Sequence, residues 1–419
     1  MQSIRRFFDN PDVPREYRSN FLHLYLDIGW FGVLSGSAAN FLNVYLARLG
    51  ADGFQLGLLG ATGALVSLAL AIPAGRWLER RPVDRAVFWT SIYYRLFYLL
   101  WIPLPWLFGN QGQIWAIITI AFLMGIPVTA LGVGFNALFA AAVPSEWRAH
   151  VIGVRNVVMS ITFMLASLGS GFILDRMRFP GGYQVVFAIG AFGALMSSLH
   201  LYFIKVRPGP AAPGAAADAP AVPSPRGWRE TLRLDIWKTP FATVLLVMLG
   251  FHLAQYLAIP IFPLYFVNEM GLTDAQLGIG TAIFYLIHML GSTQLAHLSR
   301  KLGHLRLTAV GAMAMSIYPI LITLSRSPYL YFGLQMVSGL VWSMVGGAQA
   351  NYLLERIPEH DRPSHLAWYT VVANACVLAG SLAGPAIAAA TGIVPALILF
   401  GVLRFAAGYA ILRWGKTGE

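Results

Sequence analysis

The chain has 419 residues, of which 57% are hydrophobic and only 11% are charged, whereas a soluble globular protein carries about 25% charged residues. So large a deficit excludes an ordinary soluble enzyme and indicates an integral membrane protein. The net charge of +11 does not indicate nucleic-acid binding, because no nucleic-acid-binding motif accompanies it. The single cysteine, Cys376, excludes a disulfide within one chain and a metal site built from thiolates.

Twelve apolar segments are each long enough to cross a bilayer, which takes about 20 residues in a helix. Because a lipid-exposed backbone must satisfy its own hydrogen bonds, these continuous segments predict an all-α membrane protein rather than a barrel. The predicted spans are residues 20–47, 54–76, 86–108, 114–142, 151–174, 183–204, 241–267, 274–297, 307–325, 328–354, 367–390 and 395–413.

A polar stretch from Lys205 to Lys238 separates the first six spans from the last six. Its first part is rich in Pro and Ala and has no apolar periodicity, which is typical of a flexible linker. The sequence therefore predicts an N-terminal six-helix bundle at 1–204, a cytoplasmic linker at 205–238 and a C-terminal six-helix bundle at 239–419.

The distribution of Lys and Arg predicts the topology, because these residues favour cytoplasmic loops. The chain is expected in the inner membrane of the cell, with both termini in the cytoplasm. In that topology, 23 of the 29 basic residues lie on the cytoplasmic side. Arg155 is counted there with Arg148, although it falls within residues 151–174, the predicted fifth span. Arg95 and Arg404 lie within spans, and the four remaining residues lie outside: Arg48, Arg176, Arg178 and Arg326.

The two halves repeat. Gln55-Leu56-Gly57 recurs 221 positions later as Gln276-Leu277-Gly278, and Gly50 matches Gly271 at the same offset. Further along, Val157-Val158 and Ser167-Leu168 match Val371-Val372 and Ser381-Leu382 at an offset of 214. Since each repeat begins inside and contains six spans, the halves are expected to be parallel and related by an axis along the membrane normal.

Similar basic loops follow the second and eighth spans. A carboxylate at a helix end can pair with basic groups in one conformation only, which predicts a gating role; a solvated basic turn is the alternative. The candidate gating residues are Gly75, Glu79, Arg80 and Arg85 in the first loop, and Arg300 and Gly303 in the second.

Two parallel six-helix halves with a cytoplasmic connection resemble the major facilitator superfamily of secondary transporters. The family's loop after the second span reads roughly Gly-x-x-x-Asp-Arg-x-Gly-x-Arg; here Glu79 takes the acidic position and Pro82 replaces the glycine. The resemblance implies two halves that rock about a binding site at the membrane midplane. It also implies that the first, fourth, seventh and tenth spans line the cavity.

Ionisable residues at membrane depth are costly, so each one is a candidate functional residue. Asp27 and Arg95 lie at similar depth in the first and third spans and are expected to form an ion pair. An anionic substrate is another possible partner for Arg95, and a purely structural pair is the alternative. If Asp27 is protonated in one state, it is the best proton carrier in the chain.

Further polar side chains are expected at the cavity. His252, Gln255 and Tyr256 share one face of the seventh span, and histidine can relay protons near neutral pH; hydrogen bonds to neighbouring helices are the structural alternative for His252 and His288. Arg404 lies in the last span, peripheral in the resembled fold, and is expected to snorkel or to bond to a neighbouring helix. The remaining candidates are Asn136, Trp342 and Gln349.

The sequence therefore predicts a secondary active transporter that moves a small solute by alternating access, with protons as the expected coupling ion. Efflux and uptake are both open, and the solute is not specified. Without a phosphate-binding loop, ATP-driven pumping is not expected, nor is a cofactor or a metal. A monomer in the lipid bilayer is expected. The alternatives are an uncoupled facilitative transporter and a transporter-like receptor or membrane-embedded enzyme.

Overall fold

The fold was taken from a computed structural model that describes residues 15–206, 233–324, 326–358 and 361–416. The side chains of Arg15, Glu16 and Glu79 are outside the described part. So is the middle of the predicted linker, residues 207–232. The described residues form helices joined by short turns, as the sequence predicts.

We number the long helices in chain order and treat a helix with a change of pitch or a short break as one. They are α1 (Arg15–Leu34, Ser35–Ala39 and Asn40–Arg48), α2 (Gly53–Glu79), α3 (Val83–Leu100), α4 (Asn110–Ala142), α5 (Arg148–Arg176), α6 (Gly181–Tyr202), α7 (Phe241–Ala258, Ile261–Leu264 and Tyr265–Glu269), α8 (Asp274–Ser292), α9 (His304–Ala314, Ile317–Leu321 and Ile322–Leu324), α10 (Pro328–Arg356), α11 (Arg362–Thr391) and α12 (Ile393–Trp414).

Ten helices in the described part of the chain are long and apolar enough to cross a membrane. The helices α1 and α3 are not among them. The helix α3 is short and carries Asp84, Arg85 and Arg95, and it ends at Leu100 rather than near residue 108. Pro103 and Pro105 follow it, and proline interrupts helical hydrogen bonding. That α1 and α3 also span the membrane stays a prediction.

The repeat is visible where α2 and α8 begin. Asp52 caps α2, and its carboxylate accepts a hydrogen bond from the backbone N–H of Gln55 while the Gln55 side chain bonds back. Thr273 and Gln276 form the same reciprocal cap on α8, which satisfies N–H groups that a helix start leaves free. Gly50 and Gly271, which precede these caps, both have positive φ, at 89° and 64°.

The repeat also forms the contact between the halves. A Cβ added to Gly57 on α2 would lie 2.1 Å from the carbonyl oxygen of Ser381 on α11, and one added to Gly278 on α8 would lie 2.6 Å from that of Ser167 on α5. Both glycines therefore permit a close helix approach that no larger residue allows. The α2–α11 and α5–α8 contacts are thus related by the repeat.

Packing within each half follows one scheme. The helix α1 packs on α5 and α6, while α3 packs on α4 and α6, and α2 packs on α4. In the second half α7 packs on α11 and α12, while α9 packs on α10 and α12, and α8 packs on α10. Each helix therefore has the same neighbours as its counterpart six positions earlier, so that α7, α9 and α12 correspond to α1, α3 and α6.

The apolar core is shared at one end of the molecule and divided at the other. At the end formed by residues 48–53 and 271–275, here the closed end, one core contains Leu56 from the first half and Leu264 and Ala388 from the second. Toward the end formed by residues 76–85 and 300–306, here the basic end, a core around Leu24 belongs to the first half. A separate core around Met248 belongs to the second.

An ion pair joins the two halves at the closed end. Arg48 Nη2, at the end of α1, lies 2.9 Å from Asp274 Oδ1, at the start of α8. The Tyr183 hydroxyl donates to the same carboxylate oxygen at 2.9 Å, and the Ala275 N–H donates to Asp175 Oδ1 at 3.1 Å. Polar contacts therefore supplement the shared core at this end.

Candidate functional site

Asp27 is the centre of a charged cluster buried in the first half. This residue, on α1, is only 3% exposed. Arg95 Nη2 on α3 lies 3.7 Å from Oδ1, which is the pair expected from their similar depth. Arg155 Nη1 on α5 lies 3.2 Å from Oδ2. One carboxylate thus contacts two guanidinium groups from two other helices.

Serines and a backbone carbonyl complete this arrangement. The Ser197 hydroxyl donates to Asp27 Oδ1 at 2.5 Å, and Arg95 Nη1 donates to Ser198 Oγ at 2.9 Å. Arg155 Nη1 also donates to the carbonyl oxygen of Leu24 at 2.6 Å. Asp27, Arg95, Arg155, Ser197 and Ser198 are called the acid–arginine cluster below.

The cluster faces a cavity and carries excess positive charge. Asp27, Arg95 and Arg155 all line a cavity of about 300 Å³, with Phe31, Tyr94 and Phe135 among its other walls. Two arginines face one carboxylate, so one positive charge has no countercharge within the cluster. Arg95 Nε is buried and has no hydrogen-bond acceptor among the described residues. The cavity is therefore suited to bind an anion.

The prediction for Arg155 was wrong. The topology counted it with the cytoplasmic basic residues, whereas it is 8% exposed and lies within α5. The helix begins at Arg148, so Arg155 lies about 10 Å from its start at about 1.5 Å per residue. Val151 and Val154 on the same helix are fully buried. The predicted span of residues 151–174 already included Arg155, so the count of cytoplasmic basic residues should have left it out.

A second, neutral cluster lies in the C-terminal half. His252 Nε2 on α7 lies 2.8 Å from the Tyr369 hydroxyl on α11. The side-chain amide of Gln349 on α10 donates to that hydroxyl at 2.8 Å and lies 3.2 Å from His252 Nε2. His252, Gln349 and Tyr369 are called the neutral cluster below; the sequence indicated the first two but not Tyr369.

The two clusters are related by the repeat. Tyr369 stands 214 positions after Arg155, which is the offset of the valine pairs that follow them. Both residues reach toward the helix that begins their half, α1 for Arg155 and α7 for Tyr369. Equivalent places in the two halves therefore hold an ion pair in one and neutral hydrogen bonds in the other.

The other predicted site residues are spread over the C-terminal half. Gln255 and Trp342 line a separate cavity of about 240 Å³. Tyr256 lies one turn beyond His252, with ring centroids 6.5 Å apart. His288 stacks on Phe284 at 6.0 Å, and its buried Nδ1 has no partner among the described residues.

Asn136 does not join either cluster. Its side chain is exposed and donates to the carbonyl oxygen of Gly132 on its own helix at 3.4 Å. The neighbouring ring of Phe135 instead contacts the cluster, with the Arg155 guanidinium 4.9 Å from its centroid. A shift of one position along α4, about 100° around a helix, separates the two residues.

The predicted gating residues lie at the basic end. Arg80, Arg85 and Arg300 are exposed. Gly303 ends the short helix Leu295–Leu302 with a φ of 76°, a conformation that favours glycine. Gly75 has open space around it, and the Glu79 side chain lies outside the described residues. Their gating role stays a prediction.

A pair of histidines lies next to the acid–arginine cluster, and sequence reasoning missed it. His23 Nδ1 and His200 Nδ1 are 3.1 Å apart, and both side chains are half-buried. His23 precedes Asp27 by one helical turn on α1, and His200 follows Ser197 by about one turn on α6. The pair therefore lies between Asp27 and the basic end of the molecule.

Comparison with known proteins agrees with this architecture. The family model of the Major Facilitator Superfamily matches residues 28–253 and 244–418. The chain belongs to the Major Facilitator Superfamily. It is therefore a multi-pass membrane protein of the solute-transport kind, and the relatives identified are transporters rather than enzymes.

One curated superfamily relative is the cis,cis-muconate transport protein of Acinetobacter baylyi. It is 24% identical over 246 residues, and the match spans 57% of this chain and 57% of the relative. Among solved structures, a point mutant of the nucleoside transporter NupG is 13% identical, with a TM-score of 0.71 over 94% of this chain and 100% of its own. The xylose transporter XylE from E. coli, in an inward-open conformation, is 16% identical, with a TM-score of 0.69 over 95% and 96%.

These superfamily structures show the fold alone at such low identity. Among the described residues, no group of three or more His, Cys, Asp or Glu side chains is placed to hold a metal ion. The side chains of the acid–arginine cluster are suited to charge pairing, hydrogen bonding and proton transfer.

Proposed function

We propose that this transporter moves a small organic anion, coupled to protons, by alternating access. The observation that carries the proposal is the excess positive charge of the acid–arginine cluster. Burying a charge away from water costs roughly several kcal/mol even after the protein relaxes around it. A partner of opposite charge must compensate that cost. A carboxylate on the solute would compensate the second arginine.

The chemistry of the cavity supports a carboxylate of modest size. Arginine binds carboxylates through parallel N–H donors, and the buried Nε of Arg95 lacks an acceptor. The aromatic walls, Phe31, Tyr94 and Phe135, suit an apolar or unsaturated body. The muconate transport protein, whose name specifies an unsaturated dicarboxylate, is consistent with this class of solute.

Proton coupling would act through Asp27. While Asp27 is ionised it neutralises one of the two arginines, and its protonation would leave both available to an anion. The His23–His200 pair would supply a path, since in a hydrogen bond of 3.1 Å between two ring nitrogens one holds the proton and the other accepts it. Histidine exchanges protons readily near neutral pH.

Alternating access would proceed from the state described above. The shared core and the Arg48–Asp274 ion pair hold the halves together at the closed end, and the cores are separate toward the basic end. If the termini are cytoplasmic and α1 and α3 complete twelve spans, this state faces inward. The repeat-related α2–α11 and α5–α8 contacts would be the surfaces on which the halves rock.

Flux into proteoliposomes tests the proposal. The purified chain is reconstituted, and uptake of radiolabelled cis,cis-muconate is compared with that of D-xylose and uridine, two neutral solutes. Uptake is measured with no pH gradient, with the interior acidic and with the interior alkaline. We expect muconate uptake alone, accumulating under one polarity of the gradient and abolished by a proton ionophore.

Each other outcome has a defined meaning. Muconate uptake that is the same under all three conditions would establish an uncoupled facilitative transporter and remove the role of Asp27 in coupling. Uptake of xylose or uridine in place of the anion would overturn the substrate class. Protein-free liposomes, and liposomes with Arg413→Gln, an exposed arginine at the end of α12, serve as controls.

A further inference from the structure

Arg404 is a buried arginine without an acidic partner. It is 7% exposed, in the middle of α12. Its guanidinium donates to the carbonyl oxygens of Gln255 at 3.0 Å, Ala254 at 3.3 Å and Met315 at 3.5 Å. Among the described residues, no carboxylate lies within ion-pair distance of it. Of the two roles expected for Arg404, bonding to a neighbouring helix is therefore confirmed. Its buried side chain does not snorkel.

Three carbonyl groups do not neutralise this arginine. They orient the guanidinium and occupy three of its five N–H donors, which leaves two donors for another acceptor. Its charge stays uncompensated about 15 Å from the end of α12, at about 1.5 Å per residue. A charge at that depth is expensive and is typically kept for binding or transport.

The repeat shows what the second half lacks. In the first half, the junction of α1, α3 and α6 holds Arg95 together with Asp27. The corresponding junction of α7, α9 and α12 holds Arg404, but the residue 221 positions after Asp27 is Met248, which is apolar and fully buried. The second half therefore also has a buried arginine at this junction, on the counterpart of α6 rather than of α3, and it lacks the carboxylate.

A cavity of about 240 Å³ gives a ligand access to Arg404. Its polar lining includes Gln335 and Ser338, and its aromatic lining includes Phe262 and Trp342. The Phe262 ring centroid lies 5.9 Å from the guanidinium. The cavity thus combines a cation and hydrogen-bonding groups with aromatic walls. These features suit a ligand that has an acid group on an unsaturated chain.

We propose that this C-terminal cavity binds a second acid group of the solute, so that the transported anion is an unsaturated dicarboxylate. Arg404 takes one carboxylate and the acid–arginine cluster takes the other, together or in succession as the halves move. This inference rests on the proposed function, in which the solute is an organic anion.

Two matched acids test the inference. trans,trans-Muconate and sorbate share the same six-carbon diene, and differ in that a methyl group of sorbate replaces one carboxylate. Their dissociation constants are measured by calorimetry on the detergent-purified wild type, Arg404→Gln, Arg404→Lys and the exposed control Arg413→Gln. We expect the wild type and control to prefer muconate by roughly 10- to 100-fold, the range of a charge-assisted hydrogen bond.

The variants separate binding from structure. Arg404→Gln should abolish the preference for muconate while sorbate binds within about threefold of wild type, and Arg404→Lys should keep most of the preference because it keeps the charge. If Arg404→Gln does not fold, Ser338→Leu, which would crowd the same cavity, should reduce the preference instead. Melting temperatures in detergent show which variants are folded.

The outcomes test this inference separately from the proposed function on which it rests. Equal affinity of the wild type for both acids would overturn the second site and leave an organic-anion transporter standing. An unchanged preference in Arg404→Gln would show that Arg404 only joins helices. If neither acid binds while neutral solutes do, the proposed function fails and the second site fails with it.

Discussion

Positions that the repeat relates in the two halves of this transporter form different interactions. At the position of Arg155 the first half has an ion pair with Asp27, whereas the second half has Tyr369 hydrogen-bonded to His252 and Gln349. The backbone scheme is the same, down to the glycines that let α2 approach α11 and α8 approach α5. Duplicated packing has therefore been kept while the charge has diverged.

This difference indicates that the acid–arginine cluster and the neutral cluster have different roles. In the proposed function protons act through the carboxylate of Asp27 in the first half, whereas the neutral cluster of the second half can bind and orient a solute without a charge change. The buried positive charge of the second half, Arg404, is separate from its neutral cluster and lines another cavity. Coupling is thus expected in the first half.

The largest effect is expected at Arg155. Arg155→Gln should lower the initial rate of anion transport by roughly 100-fold, because a charge-assisted contact is lost and a buried ion pair is broken. Tyr369→Phe, at the repeat-related position, should lower it only about 2- to 10-fold, since a neutral hydrogen bond is lost. Both are measured as uptake per reconstituted protein. Equal losses would break the comparison between the halves.

A smaller and more selective effect is expected at Asp27. Asp27→Asn keeps the size of the side chain but removes its charge change, so accumulation driven by a pH gradient should fall at least about tenfold. Exchange of internal for external anion needs no net proton movement and should persist. Parallel assays of accumulation and exchange in one liposome preparation measure the ratio. Loss of both activities together would assign Asp27 to folding or binding rather than to coupling.

The ion pair between the halves should have an effect of a few-fold. Arg48→Gln removes the charge that faces Asp274 across the closed end, where the Tyr183 hydrogen bond and the shared core remain. Spin labels are attached to Phe54→Cys and Val394→Cys, two exposed positions in different halves, in a Cys376→Ser background. The distance between the labels reports the separation of the halves. We expect the population with the longer distance to rise about three- to tenfold.

Matched variants qualify this experiment. Arg178→Gln, which changes an exposed arginine near the same end, should leave the distances unchanged. An identical distribution in Arg48→Gln and wild type would mean that the apolar core alone holds the closed end.

The smallest effect is expected at an ion-pair network on the basic side of the second half. Arg233 Nη2 lies 2.7 Å from Asp361 Oδ2 and 3.0 Å from Asp235 Oδ2. Hydrogen bonds to Asp235 and Asp361 raise the pKa of Arg233. Burial raises the pKa of Asp361, but hydrogen bonds from Arg233 and Ser364 outweigh it, so the pKa of Asp361 lies below its usual value.

A carboxyl with a lowered pKa stabilises the folded state above its unfolded pKa, about 3.9, and loses that contribution as the pH falls through its folded pKa. The attachment of residues 233–240 to α11 should therefore weaken in acid, as Asp361 is protonated and its ion pair with Arg233 is lost. Asp361→Asn should raise amide hydrogen exchange at Trp237 about two- to fivefold at pH 7. Unchanged exchange at Trp237 in Asp361→Asn would contradict this assignment.

Much of the fold followed from patterns along the chain. Apolar length predicted the helices, and the 221- and 214-residue offsets predicted the duplication that the paired caps and the close contacts of Gly57 and Gly278 display. Asp27 and Arg95 could be paired because depth in a helix follows from residue count at about 1.5 Å per residue. Each of these quantities is local or periodic, so a sequence records it directly.

The site was less accessible to such reasoning. Arg155 was counted with the cytoplasmic basic residues although it lies inside the predicted fifth span, and Asn136 was preferred to its neighbour Phe135, which contacts the cluster. His23, His200 and Tyr369 were not recognised. Their importance depends on which face of one helix meets which face of another, and sequence spacing within a single helix does not contain that information.

The sequence by itself determined the membrane class, the helical segments, the duplication and the depth of the buried charges, because hydropathy, repeat offset and helical rise are properties of one continuous chain. Only the tertiary structure decided that Asp27 contacts two arginines, that Arg404 has carbonyl groups but no carboxylate among the described residues, and that the halves join at one end. Those facts depend on packing between helices remote in sequence, where a rotation of one residue exchanges a cavity wall for a lipid contact.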